Sequence, residues 1–126
     1  MEFIGRIDDL KNLEKQLSTE ELSFSLIYGR RRVGKSELVK QLLKNTDVKS
    51  IYFECKQVAE ESNVKSLSQV VSEVLALPKL GYTDIESLLE YIFELAKKEK
   101  LILVLDEYPY LRESVKGCDS IMQSLV

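Results

Sequence analysis

The chain contains no histidine. That absence removes imidazole general-base catalysis and most catalytic zinc sites. Two cysteines, Cys55 and Cys118, are too few for a disulfide scaffold or a cysteine-ligated zinc. Prolines number two and glycines five, and there is no Pro/Gly-rich linker, repeat or low-complexity stretch. No apolar run approaches the roughly 20 residues needed to cross a bilayer. Met1-Glu2-Phe3 lacks the basic and apolar regions of a signal peptide. A soluble, reducing, cytoplasmic setting is therefore expected. Positive charge is also in short supply: 18 Lys plus Arg face 21 Asp plus Glu, for a net charge of −3. An obligate DNA-binding module would carry a basic excess.

What remains is an ordinary globular composition, 44% hydrophobic and 31% charged, in 126 residues. That length allows one domain at most. Ile7, Leu10, Leu13 and Leu17 recur at helical steps. Phe24-Ser25-Leu26-Ile27-Tyr28 reads as a buried strand ending at Gly29, and Leu38, Val39, Leu42 and Leu43 mark a helix behind it. Ile51-Tyr52-Phe53 is a second strand, β-branched and aromatic. Asn63 is placed to cap a helix carrying Val64, Leu67, Val70, Val71, Val74 and Leu75, which Pro78 stops. Thr83 and Glu86 have capping-box spacing before a helix with Leu88, Leu89, Ile92, Phe93 and Ala96 on its apolar face. Leu101-Ile102-Leu103-Val104-Leu105 is the most apolar run, as a strand covered on both faces requires. Ile121, Met122, Leu125 and Val126 return to helical spacing. Strands separated by helices predict an α/β fold with a parallel sheet.

Gly29-Arg30-Arg31-Arg32-Val33-Gly34-Lys35-Ser36 fits G-x-x-x-x-G-K-[ST] at every fixed position, between a strand and a helix. Glycines let backbone N–H groups close around phosphate oxygens where a side chain would block the approach. Lys35 supplies a flexible cation to the β- and γ-phosphates, and the Ser36 hydroxyl can ligate Mg²⁺. The helix that starts here adds its positive N-terminal dipole. The side chains of Arg30, Arg31 and Arg32 occupy variable positions and are expected to face solvent or pair with acidic residues, since the loop backbone already supplies the phosphate donors; the alternative is that one of them contacts phosphate or a neighbouring subunit.

The apolar strand ends in Asp106-Glu107-Tyr108-Pro109-Tyr110. Beside a phosphate loop, such a pair divides two tasks. Asp106 would hold the Mg²⁺ shell with Ser36. Glu107 would orient an attacking water and accept its proton. Tyr108 and Tyr110 are expected to pack rather than react, and Cys55 to be a small, partly buried, inert thiol.

With these motifs in place, the chain resembles the archaeal-type ATPase family, in the AAA-like, signal-transducing branch of P-loop ATPases. The likeness runs over nearly the whole chain. Phe3-Ile4-Gly5-Arg6 through Leu10 is similar to the family's F-x-G-R-x-x-E-L opening, with Asp9 in place of glutamate. Asp106 through Leu111 is similar to its D-E-[FY]-[PQ]-[YW]-L signature. The resemblance implies a three-layer α/β/α P-loop NTPase of the additional-strand type, with ATP and Mg²⁺ as ligands. It also implies that Ile4, Gly5 and Arg6 contact the adenine.

In that family one further strand, ending in a polar sensor residue, lies between the phosphate-loop strand and the acidic strand. A helical lid and often a C-terminal region follow. None of these is found before Val126, so an N-terminal part of an ATPase domain, cut before the sensor strand, is expected. The phosphate-loop and acidic strands would then pair directly or accept a segment from another chain, in a homo-oligomer or by segment exchange. DNA or protein partners would act through the C-terminal region.

ATP-driven switching is the reading for the whole protein, and for this chain alone a binding fragment stands level with it. A nucleotide-binding fragment without significant turnover stays open, because a sensor and an arginine finger supply much of the rate. A small-molecule kinase would share the phosphate loop but carry an arginine-bearing lid, and none is evident. The acidic pair stands where a GTPase has D-x-x-G, and no N-K-x-D guanine signature occurs.

Overall fold

The computed structural model describes residues 2–6, 24–29, 40, 41, 43, 44 and 48–124. The helix expected over Ile7–Leu17, the loop Arg30–Ser36, and Leu38, Val39, Leu42, Leu125 and Val126 lie outside the described residues. Among the described residues the strands are β1 (Glu2–Arg6), β2 (Phe24–Gly29), β3 (Lys49–Glu54) and β4 (Leu101–Asp106). The helices that carry the core are α1 (Glu60–Val74), α2 (Ile85–Ala96), α3 (Tyr108–Ser114) and α4 (Cys118–Ser124). Lys40, Gln41, Leu43 and Lys44 are also helical.

The strands form one parallel sheet in the order β1-β2-β4-β3. This is the α/β architecture that alternating strands and helices call for. β4 is central, and all six of its residues are buried. Leu101, Leu103 and Leu105 join Ile51, Phe53 and Cys55 of the neighbouring strand and its extension in the main core. Val64, Leu67 and Val71 of α1 and Ile85, Leu88, Leu89 and Ile92 of α2 complete that core. Side chains alternate along a strand, so Tyr52 and Glu54 share the opposite face with Val104 and Asp106. Each fully buried aliphatic side chain contributes about 1.5–3 kcal/mol relative to exposure. The core therefore fixes the register of β4, and a slip of one residue would turn Asp106 into the aliphatic side.

β2 and β4 pair directly, from Phe24 opposite Leu101 to Gly29 opposite Asp106. This is the first of the two arrangements expected for them. The outer edge of β2 would otherwise leave a row of backbone donors and acceptors unpaired. It is taken by β1, so the opening Phe3-Ile4-Gly5-Arg6 is a strand, which the sequence pattern did not announce.

Two expected caps are placed differently. α1 starts at Glu60 with Ala59 as its N-cap, and that cap makes no side-chain bond. Asn63 lies inside the helix and is buried. Its Oδ1 accepts from the Lys56 N–H at 2.9 Å, and its Nδ2 donates to the Lys56 carbonyl at 2.9 Å. A carboxamide has one group of each kind, so it can tie down the loop after β3 in a way a cap cannot. In α2 the N-cap is Asp84 rather than Thr83, its carboxylate accepting from Ser87 N–H at 2.9 Å. Glu60 accepts from Ile85 N–H at 3.0 Å, which joins the starts of α1 and α2.

Candidate functional site

Parallel strands place their C-terminal ends on one side of the sheet, and ligands of open α/β sheets bind outside that edge. Here the edge holds three register partners in a row: Glu54 on β3, Asp106 on β4 and Gly29 on β2. Adjacent strands lie about 4.8 Å apart. The carboxylate-bearing Asp106 is thus one strand spacing from Gly29, the residue that opens the expected phosphate loop. On β1, Arg6 pairs with Tyr28, the residue before Gly29, so the end of β1 approaches the same edge, with Ile4 and Gly5 further back along the strand.

Asp106 is completely buried, at 0% exposure. A buried carboxylate is tolerable only when hydrogen bonds replace its water. Its Oδ1 accepts from the Glu107 N–H at 2.9 Å, and its Oδ2 accepts from the Tyr52 hydroxyl. The Asp106 carbonyl accepts from Cys55 N–H at 2.8 Å, which extends the β3–β4 pairing past the strand ends. Lys40, among the helical residues that follow the expected phosphate loop in sequence, sets its ammonium 4.9 Å from the centre of the Tyr52 ring. A cation over an aromatic face is attracted to it.

Glu107 is half-buried and has φ 56° and ψ 38°, the left-handed region. For a residue with a Cβ this costs roughly 1–2 kcal/mol. The conformation ends β4 sharply and makes Glu107 the N-cap of α3, whose first turn holds Pro109 where no N–H partner is needed. Such strain concentrates where a side chain must be presented in one place.

Tyr108 packs as expected. It is buried, its ring lies 4.6 Å from that of Tyr28, and its hydroxyl donates to Asp119 Oδ1 at 2.7 Å. Burial raises its pKa well above the ordinary phenol value, which removes it from proton transfer. Cys55 is fully buried rather than partly so, and desolvation pushes its thiol up to about 12. Burial also raises Cys118. Neither is a ready thiolate nucleophile.

Among the expected site residues, Gly29 and Asp106 are register partners at the sheet edge and Glu107 follows Asp106, while Arg6 ends β1 opposite Tyr28 and Ile4 lies in mid-strand opposite Leu26. Arg30, Arg31, Arg32, Val33, Gly34, Lys35 and Ser36 lie outside the described residues. Sequence reasoning missed Tyr52 and Glu54. Their signal was parity: in a strand ending at Glu54 they alternate with the core residues Ile51 and Phe53, so they face elsewhere. Among the described residues no cluster of three or more Cys, Asp or Glu is arranged to hold a metal.

A family model described as an ATPase domain predominantly from Archaea matches residues 3–126. The chain belongs to this ATPase family. An uncharacterized protein of Methanocaldococcus jannaschii is 29% identical over 124 residues, covering 98% of this chain and 26% of the relative. The chain thus spans about a quarter of that relative's length. An uncharacterized ATP-binding protein of the same organism is 36% identical over 53 residues, covering 42% of this chain and 90% of the relative. No solved structure matches the chain. Among the described residues no helix is long and apolar enough to cross a membrane.

Proposed function

We propose that this ATPase-family chain binds ATP with Mg²⁺ at the C-terminal edge of its sheet, and that the bound nucleotide is hydrolysed to drive a conformational switch. The observation that carries the reading is the register of Gly29 with the buried Asp106. It brings a hard oxygen donor beside the residue that opens the G-x-x-x-x-G-K-S motif. The donor set suits Mg²⁺, which takes one or two carboxylates and keeps waters and phosphate oxygens as its other ligands. Asp106 and the Ser36 hydroxyl are the residues that would hold it. Magnesium, when bound, neutralises charge across the phosphates.

Lys35 and the backbone from Gly29 to Ser36 bind the phosphates, while Ile4, Gly5 and Arg6 approach the base. Glu107 orients a water and accepts its proton, and its left-handed backbone limits where that carboxylate can sit. The ATP-binding description of one relative supports the nucleotide part of this reading.

The test is binding of a fluorescent ATP analogue with competition by ATP and GTP, followed by phosphate release. The expected result is displacement by ATP in preference to GTP, loss of binding in Lys35→Ala, and loss of turnover with retained binding in Glu107→Gln. Binding with no turnover in the unsubstituted chain would leave a nucleotide-binding module. No nucleotide binding at all would overturn the reading.

A further inference from the structure

The hydrogen bond from Tyr52 to Asp106 joins two strands and two roles. Tyr52 pairs in register with Val104, two residues before Asp106 and on the same face of the sheet. Its long side chain therefore reaches along the diagonal to the strand end, a span open to aromatic residues. The phenol donates to Oδ2 while the Glu107 N–H donates to Oδ1. A carboxylate oxygen can accept more than one hydrogen bond, so accepting from these donors is compatible with a role in a metal shell. The carboxylate, however, can no longer turn. The Lys40 ammonium lies 4.9 Å from the ring centroid, on the chain segment that follows the phosphate-loop motif.

We propose that Tyr52 is a positioning residue for metal binding: it fixes the Asp106 carboxylate in the orientation that the Mg²⁺ shell requires, and Lys40 couples that orientation to the helix behind the phosphate loop. The proposal rests on the ATP–Mg²⁺ reading of the same edge and adds to it the residue that prepares the site. Groups that orient a metal's ligands typically change metal affinity by about 10–100-fold when removed. Phenylalanine at this position keeps the ring under Lys40 and removes only the hydroxyl.

The experiment measures fluorescent ATP-analogue binding in EDTA and across a Mg²⁺ titration, for the unsubstituted chain, Tyr52→Phe, Asp106→Asn and the double variant. Thermal melts of each check that the fold is kept. Tyr52→Phe is expected to leave metal-free nucleotide affinity unchanged and to raise the Mg²⁺ concentration for half-maximal tightening about tenfold. In the Asp106→Asn background the same substitution is expected to add nothing, which a merely structural tyrosine would not show. An unchanged Mg²⁺ midpoint in a folded Tyr52→Phe variant overturns the proposal, as does an effect that persists in full without the Asp106 carboxylate. Those outcomes leave the ATP reading intact, because the unsubstituted chain would still bind nucleotide in a Mg²⁺-dependent way. Absence of any nucleotide binding by the unsubstituted chain would instead remove both.

Discussion

Gly29, the last residue of β2, lies directly opposite Asp106, the last residue of β4. The pairing puts the first residue of the G-x-x-x-x-G-K-S motif and a buried carboxylate on neighbouring, directly paired strands. Six consecutive register pairs lock it, and β4 is buried along its whole length. The position of Asp106 is thus set by core packing. Its orientation is set by Tyr52 and by the Glu107 N–H.

Glu107 separates backbone from side-chain chemistry. Its left-handed φ of 56° is strained for any residue with a Cβ. Glu107→Gly is expected to stabilise the fold by about 0.5–1 kcal/mol. Glu107→Gln should leave stability within about 0.5 kcal/mol, as a shape-conserving change away from the core does. Both variants should lose ATP turnover, since neither carries a base. Thermal melts paired with a phosphate-release assay check this; turnover retained by Glu107→Gln would remove the general-base role.

Asn63 clamps the loop that follows β3 and so supports the edge where Glu54 and Tyr52 sit. Asn63→Ala deletes both bonds to Lys56 and leaves its N–H and carbonyl without those partners. A loss of about 1–3 kcal/mol in urea unfolding is expected. Asn63→Asp keeps an acceptor but loses the donor to the Lys56 carbonyl, and should not restore stability. A change below about 0.5 kcal/mol in the alanine variant, the range of a neutral surface substitution, would show that the clamp is replaceable by water.

The strands that carry the site were legible because their signals are local. Leu101–Leu105 is apolar on both faces, and the residues after it are acidic. The sheet order was legible only as a choice between two arrangements, because pairing depends on which backbone edges are left open. β1 escaped notice since Glu2–Arg6 is too short for a period to develop, and its strand identity comes from the edge of β2. Asn63 looked like a cap because caps and buried clamps use the same residue type. Only the tertiary position of Lys56 distinguishes them. Tyr52 was read as a strand residue, correctly, but its hydroxyl partner is 54 residues away in sequence. No spacing rule reaches that far.

Ala76 offers a stability gain at a helix end. It has φ 53°, its N–H donates to the Glu73 carbonyl at 3.4 Å, and the Leu77 N–H donates to the Ser72 carbonyl at 2.9 Å. That is a Schellman ending with alanine where glycine is usual. Ala76→Gly should raise stability by about 0.5–1 kcal/mol, because glycine reaches the left-handed region without steric cost. A melt that falls instead would mean that unfolded-state entropy outweighs the relief of strain.

The buried thiols give the fold an alkaline limit. Cys55 rises from 9.0 to about 12, chiefly through desolvation, with the neighbouring Cys118 and the carboxylates of Asp106, Glu107 and Glu54 adding to it. Below pH 9 the thiol is protonated in both folded and unfolded chains, and its contribution does not depend on pH. Between pH 9 and 12 the unfolded chain releases the proton while the folded chain keeps it. Stability must then fall as pH rises, with a slope of about 1.4 kcal/mol per unit from this group. Cys55→Ala should flatten the urea-unfolding profile in that window by this amount, although the small cavity lowers its plateau below pH 9. Thiol labelling gives an independent check. At pH 8 both cysteines of the folded chain should react far more slowly than in denaturant, since burial withholds both access and thiolate. Equal labelling rates in the two states would mean that the face of the core around Cys55 and Cys118 opens freely.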